Sequence, residues 1–124
     1  MRVGFRILIL KQGKRLYKED LQGDTLFERA LRYISEFKYL EATKWLLLCE
    51  DSLEKYLLLS LINFALGQYE QSIEFMKEAK RFQKSTDFSF LIEKPGLSEL
   101  IIVDKPEASL FDFLSTYQKP EEAR

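Results

Sequence analysis

Residues 53–82, LEKYLLLSLINFALGQYEQSIEFMKEAKRF, constrain the fold of this chain more than any other stretch. Leu53, Tyr56, Leu57, Leu58, Leu59, Leu61, Ile62, Phe64, Ala65 and Leu66 recur so densely that a helix through them is apolar on nearly every side. Such a helix must be covered on several faces. Interrupted by Glu54, Lys55 and Asn63, it falls short of the roughly 20 apolar residues a bilayer span needs. Gly67 supplies a residue suited to the left-handed conformation that ends a helix. Beyond it, Tyr69, Ser72, Ile73, Met76 and Ala79 keep a three/four spacing while Glu70, Glu74, Lys77 and Lys80 lie off it. The spacing predicts a second, amphipathic helix and hence a helical hairpin. Asp51 and Glu54 have the spacing of a capping box for its start.

The preceding residues carry a second version of the same pattern. Thr25 and Glu28 form another capping-box pair, and a helix from Leu26 to about Ser35 is expected to bury Leu26, Phe27, Ala30, Tyr33 and Ile34. After a short turn near Glu36, a helix from Lys38 to Cys49 follows. There Tyr39, Ala42, Leu46 and Cys49 stand at the offsets of Tyr69, Ser72, Met76 and Ala79, with 30 residues from Tyr39 to Tyr69.

Tyr56, Leu59, Gly67, Tyr69 and Ala79 together resemble the tetratricopeptide repeat, a helix–turn–helix unit of about 34 residues. Ser60 stands where that family prefers Gly or Ala, Ser72 where it prefers Ala, and Lys84 where it has Pro after the second helix. Both serines are small, so close helix packing survives. The resemblance implies a mainly α fold of stacked antiparallel helical hairpins, in about two degenerate copies. It also implies protein binding on a concave surface lined by Glu54, Leu57, Leu61, Phe64 and Ala65. That lining is largely apolar here, which marks either a binding site or a surface the chain fills itself. Two fillers are weighed: a helix from Lys105 to Tyr117, acting through Leu110, Phe111 and Leu114, or an amphipathic segment of another protein. Phe75 and Phe82, two turns apart beside the main stripe of the second helix, are expected either to meet residues 88–103 or to form a homodimer face. The expected partner-binding residues are thus Leu57, Leu61, Phe64, Phe75 and Phe82.

Outside the hairpins the patterns are shorter. Val3, Phe5, Ile7 and Ile9 alternate with Arg2, Gly4 and Arg6, which favours a strand near residues 3–10 over a short helix. Lys11-Gln12-Gly13-Lys14 reads as a turn. Residues 85–87 break the helical pattern, and Phe88 to Ile92 suit a strand or one helical turn. Lys94-Pro95-Gly96 suits a turn, and residues 99–103 a short strand. Asp104, Pro106 and Glu107 announce a last helix carrying Ala108, Leu110, Phe111, Phe113, Leu114 and Tyr117. One domain over residues 1–124 is expected, with an N-terminal arm (1–24), a helical core (26–84) and a C-terminal capping segment (87–124).

Composition narrows the chemistry. The 124 residues contain no histidine and one cysteine, Cys49. Ser-His and Cys-His nucleophile pairs are therefore excluded, as is an intrachain disulfide. No glycine-rich phosphate loop or paired-cysteine motif occurs. Glu50, Asp51 and Glu54 cluster at a helix junction, where capping and the helix dipole explain them better than a divalent cation does. A non-enzyme without metal or cofactor is expected. With a net charge of −1, no apolar span and no secretion signal, a cytoplasmic protein off the membrane is expected. Its partner is a protein segment or a second copy of itself. The alternative is a nucleic-acid-binding accessory role for the basic opening, in which Arg2, Arg6, Lys11, Lys14, Arg15 and Lys18 precede the first acid and interleave with Phe5 and Tyr17.

Overall fold

The computed structural model describes residues 6–82 and 88–93, and the backbone of residues 100–103. Within them the chain is mostly helical, with one small antiparallel sheet. In order come β1 (Arg6–Lys11), β2 (Lys14–Arg15), a 3-10 turn at Lys18–Asp20, α1 (Leu26–Ser35), α2 (Tyr39–Leu48), α3 (Leu53–Ala65), α4 (Tyr69–Ala79), β3 (Phe88–Glu93) and β4 (Leu100–Val103). The expected strand start at Val3 and Phe5 lies outside the described residues. So do the break at 85–87, the turn at Lys94-Pro95-Gly96 and the last helix with its Leu110, Phe111 and Leu114.

The strands run in the order β2-β1-β3-β4, all antiparallel. Gln12 and Gly13 both have positive φ, 53° and 80°, as the two-residue turn between β1 and β2 requires. Alternation then sorts the side chains. Ile7 lies opposite Ile92 and Ile9 opposite Phe90, and these four are buried, while on the other face of β1 Arg6 is exposed and Leu8 and Leu10 are half-buried. The stretch 88–92, open between strand and helical turn in the sequence, is a strand because pairing with β1 gives its apolar residues a covered face.

Each helical start has a local cause. Thr25 caps α1, its Oγ1 accepting from the Glu28 N–H at 3.1 Å. The Glu28 carboxylate reaches past Thr25 to accept from the Gly23 N–H. For α3 the expected cap at Asp51 is corrected. Ser52, in extended backbone, is the cap, and its Oγ accepts from the Lys55 N–H at 3.1 Å. Asp51 instead pairs with the Lys55 ammonium at 3.0 Å.

The two hairpins share one turn, displaced by 30 residues. Phe37 N–H donates to Ile34 O (2.9 Å) and Lys38 N–H to Tyr33 O (2.9 Å). Gly67 N–H donates to Phe64 O (3.1 Å) and Gln68 N–H to Asn63 O (2.8 Å) in the same pattern. Phe37 and Gly67 both sit at positive φ, 60° and 81°. The helix caps that follow, Lys38 and Gln68, have φ/ψ of −94°/73° and −92°/71°. The buried positions of α2, Tyr39, Ala42 and Leu46, fall 30 residues before Tyr69, Ser72 and Met76, the last two of which are buried in α4.

Helix α1 packs on α2, α2 on α3 and α3 on α4, while β1 lies against α1 and α3. One apolar cluster runs through all of them, joining Ile7, Ile9, Phe90 and Ile92 of the sheet to Leu31, Ile34, Leu57, Leu58, Leu61 and Ile62 of the helices. The Ile7 N–H donates to the Tyr39 hydroxyl at 2.7 Å, tying β1 to the start of α2. Burial pushes the pKa of that hydroxyl far above the ordinary tyrosine range.

Candidate functional site

The residues expected to line an open groove are interior. Leu57 and Leu61 are 0% exposed and Phe64 is 6% exposed. They belong to the cluster that also holds the inward face of the sheet. The groove side of the first helices is therefore not a free surface. β1 packs there, brought back by its pairing with β3 across the four helices. Phe75 and Phe82 are half-buried and meet Tyr56 near the start of α3, with ring centroids at 6.3 and 5.9 Å. Among the described residues, the ring contacts of both are with Tyr56 of α3.

The acidic junction is likewise engaged locally. Lys55 is buried, and its ammonium donates to the Cys49 carbonyl (2.8 Å) and to Asp51 (3.0 Å). Hydrogen bonds from Lys55 and then Tyr56 hold the Asp51 carboxyl below its usual range. Glu50, Asp51 and Glu54 border a cleft of about 850 Å³ between the starts of α1 and α3. Among the described residues no group of three or more Cys, Asp or Glu side chains converges as a metal cage would. Cys49 is half-buried, its Sγ–H directed at the Trp45 carbonyl (3.3 Å), and burial pushes the thiol up. A raised thiol is a poor nucleophile at neutral pH.

Of the basic opening, Lys11, Lys14 and Arg15 are exposed on the β1–β2 hairpin. The Arg15 guanidinium lies 4.6 Å from the Tyr17 ring centre, and the Lys11 ammonium 5.5 Å from that of Phe88. Lys11 and Lys14 are direct cross-strand partners, a like-charge pairing that costs stability.

The three most exposed leucines among the described residues lie elsewhere, on α2. Leu40, Leu47 and Leu48 are 50%, 54% and 65% exposed. Sequence reading passes over them because YLEATKWLLL is apolar nearly all round, and such a helix reads as interior. Only its Tyr39, Ala42 and Leu46 are buried. The internal repeat supplies the missing signal. Thirty residues on, α4 carries Glu70, Lys77 and Glu78 where α2 carries Leu40, Leu47 and Leu48. The two helices begin from matching turns and bury matching positions. The hairpin geometry thus accepts charge at these three sites, and packing among the described residues does not account for the leucines of α2.

Comparison of the chain with family models, with curated proteins and with solved structures finds no match. Among the described residues no helix is long and apolar enough to cross a membrane.

Proposed function

We propose that this chain is a non-catalytic protein-interaction module of tetratricopeptide-like helical hairpins, and that the outward face of α2 is its docking surface. The observation that carries the reading is the contrast between Leu40, Leu47 and Leu48 and their charged equivalents Glu70, Lys77 and Glu78. Leaving three leucines half or more in water forgoes half or more of the roughly 1.5–3 kcal/mol that full burial of each supplies. A partner recovers that energy. The hairpin turns that recur after 30 residues, and the small Ala30, Ala42, Ser60 and Ser72 at the helix contacts, support the repeat reading. The absence of histidine from the sequence and the raised Cys49 thiol support a role in binding rather than covalent chemistry.

The test transplants the α4 residues onto α2. Immobilised wild-type chain and the variant Leu40→Glu/Leu47→Lys/Leu48→Glu are exposed to native extract and to soluble chain carrying a different tag. Wild type retains protein, whether extract component or second copy, that the variant releases. Equal retention by both contradicts the reading.

A second reading, polyanion binding by the β1–β2 hairpin, draws on the unfavourable Lys11–Lys14 pair, which a bound phosphodiester would relieve. Salt-dependent retention on a polyanion that Lys11→Gln/Lys14→Gln/Arg15→Gln leaves unchanged rejects it.

A further inference from the structure

We infer that the partner of the α2 face is a second copy of this chain, docked about a two-fold axis that sets the two α2 helices antiparallel. This inference rests on the docking surface proposed above. The exposed residues of α2 are Leu40, Glu41, Lys44, Leu47 and Leu48. At about 100° per residue they share an arc of roughly 120°. The face carries one acid and one base, paired with each other at 3.3 Å. Its net charge is zero, so a second copy meets no net repulsion.

Order along the helix makes the face complementary to itself, as a two-fold interface requires. Place the axis at the level between Thr43 and Lys44. Leu40 of one copy then lies opposite Leu47 of the other, on the same side of the contact. Glu41 falls two residues along the helix from the second copy's Lys44, about 3 Å at the α-helical rise. Two Glu41 carboxylates and two Lys44 ammoniums form a neutral four-charge group at the centre, with leucines on both sides. A face bearing one sign of charge, as a basic or acidic partner would select, lacks this property.

Sedimentation equilibrium of the full chain at increasing concentration tests the inference. Wild type is expected to associate to a dimer. Glu41→Lys, which places four cations at the centre, and Lys44→Glu, which places four anions there, are each expected to weaken self-association at least about tenfold, with unchanged circular dichroism. An equimolar mixture of the two variants is expected to recover the dimer, because each supplies the charge the other lacks. Recovery on mixing cannot come from repair of the Glu41–Lys44 pair within one chain. Wild type that stays monomeric at about 100 μM, or a dimer indifferent to these substitutions and their mixing, overturns the inference. If a monomeric chain still retains extract proteins through Leu40, Leu47 and Leu48, the docking surface stands and only the choice of partner fails.

Discussion

Ser60 and Ser72 exchange hydrogen bonds across the α3–α4 contact. The Ser60 hydroxyl donates to the Ser72 carbonyl at 2.8 Å, the Ser72 hydroxyl donates to the Ser60 carbonyl at 2.7 Å, and the two oxygens lie 3.2 Å apart. Both residues are fully buried. In the first hairpin the same positions hold Ala30 and Ala42, also fully buried. Small size is thus what the helix contact demands, and the hydroxyls add a link where they find partners. A double-mutant cycle by urea unfolding should show coupling. Ser60→Ala and Ser72→Ala are each expected to cost about 0.5–1.5 kcal/mol, and together clearly less than their sum. Ser60→Val should cost more than Ser60→Ala, because an added methyl overpacks the contact. Strict additivity contradicts the reciprocal link.

Gly67 and Phe37 occupy one backbone conformation in two hairpins. A Cβ at Gly67 would meet nothing within 4 Å, so replacing it tests backbone strain alone. Gly67→Ala is expected to lower stability by about 1–2 kcal/mol, read as a shift in urea midpoint at constant slope. Phe37 tolerates the conformation with its ring edge-on to Tyr39, centroids 6.5 Å apart, and the Arg6 guanidinium 5.1 Å from the ring centre. Phe37→Gly relieves strain and loses those contacts. It should therefore change stability less than Phe37→Ala, which loses the contacts and keeps the strain.

Tyr39 gives the fold an alkaline limit. Its folded-state pKa is raised, with burial the leading cause, whereas an unfolded tyrosine ionises near pH 10. The contribution is complete below about pH 10 and is lost as pH rises beyond it, since only the unfolded chain then releases the proton. Wild type should lose stability above pH 10 more steeply than Tyr39→Phe, by up to about 1.4 kcal/mol per pH unit. Tyr39→Phe should also cost about 1 kcal/mol near neutrality, because the buried Ile7 N–H loses its acceptor. Parallel stability curves for the two proteins above pH 10 contradict this account.

The helices are legible in the sequence because their causes are local. Thr25, the three/four spacing of Tyr69 to Ala79, and Gly67 each act within a turn or two. The sheet is less legible. Ile7 and Ile9 alternate clearly enough, but their partners Ile92 and Phe90 arrive only after all four helices. No local signal announces that this pairing lays β1 against the helices and makes Leu57 and Leu61 interior. The candidate surface is hidden for a different reason. Leucines of a buried helix and leucines awaiting a partner are the same letters. Only equivalent positions in a second copy of the hairpin separate them, and there Glu70, Lys77 and Glu78 show what that geometry accepts without a partner.

The most direct test of that separation is the unfolding free energy of Leu40→Glu/Leu47→Lys/Leu48→Glu. It is measured in urea at submicromolar concentration, where self-association adds nothing. If the leucines serve a partner, the variant should match wild type within about 0.5 kcal/mol for each substituted surface site. A loss of several kcal/mol per site, or failure to fold, would show that they hold this chain together and that the outward face of α2 is no docking surface.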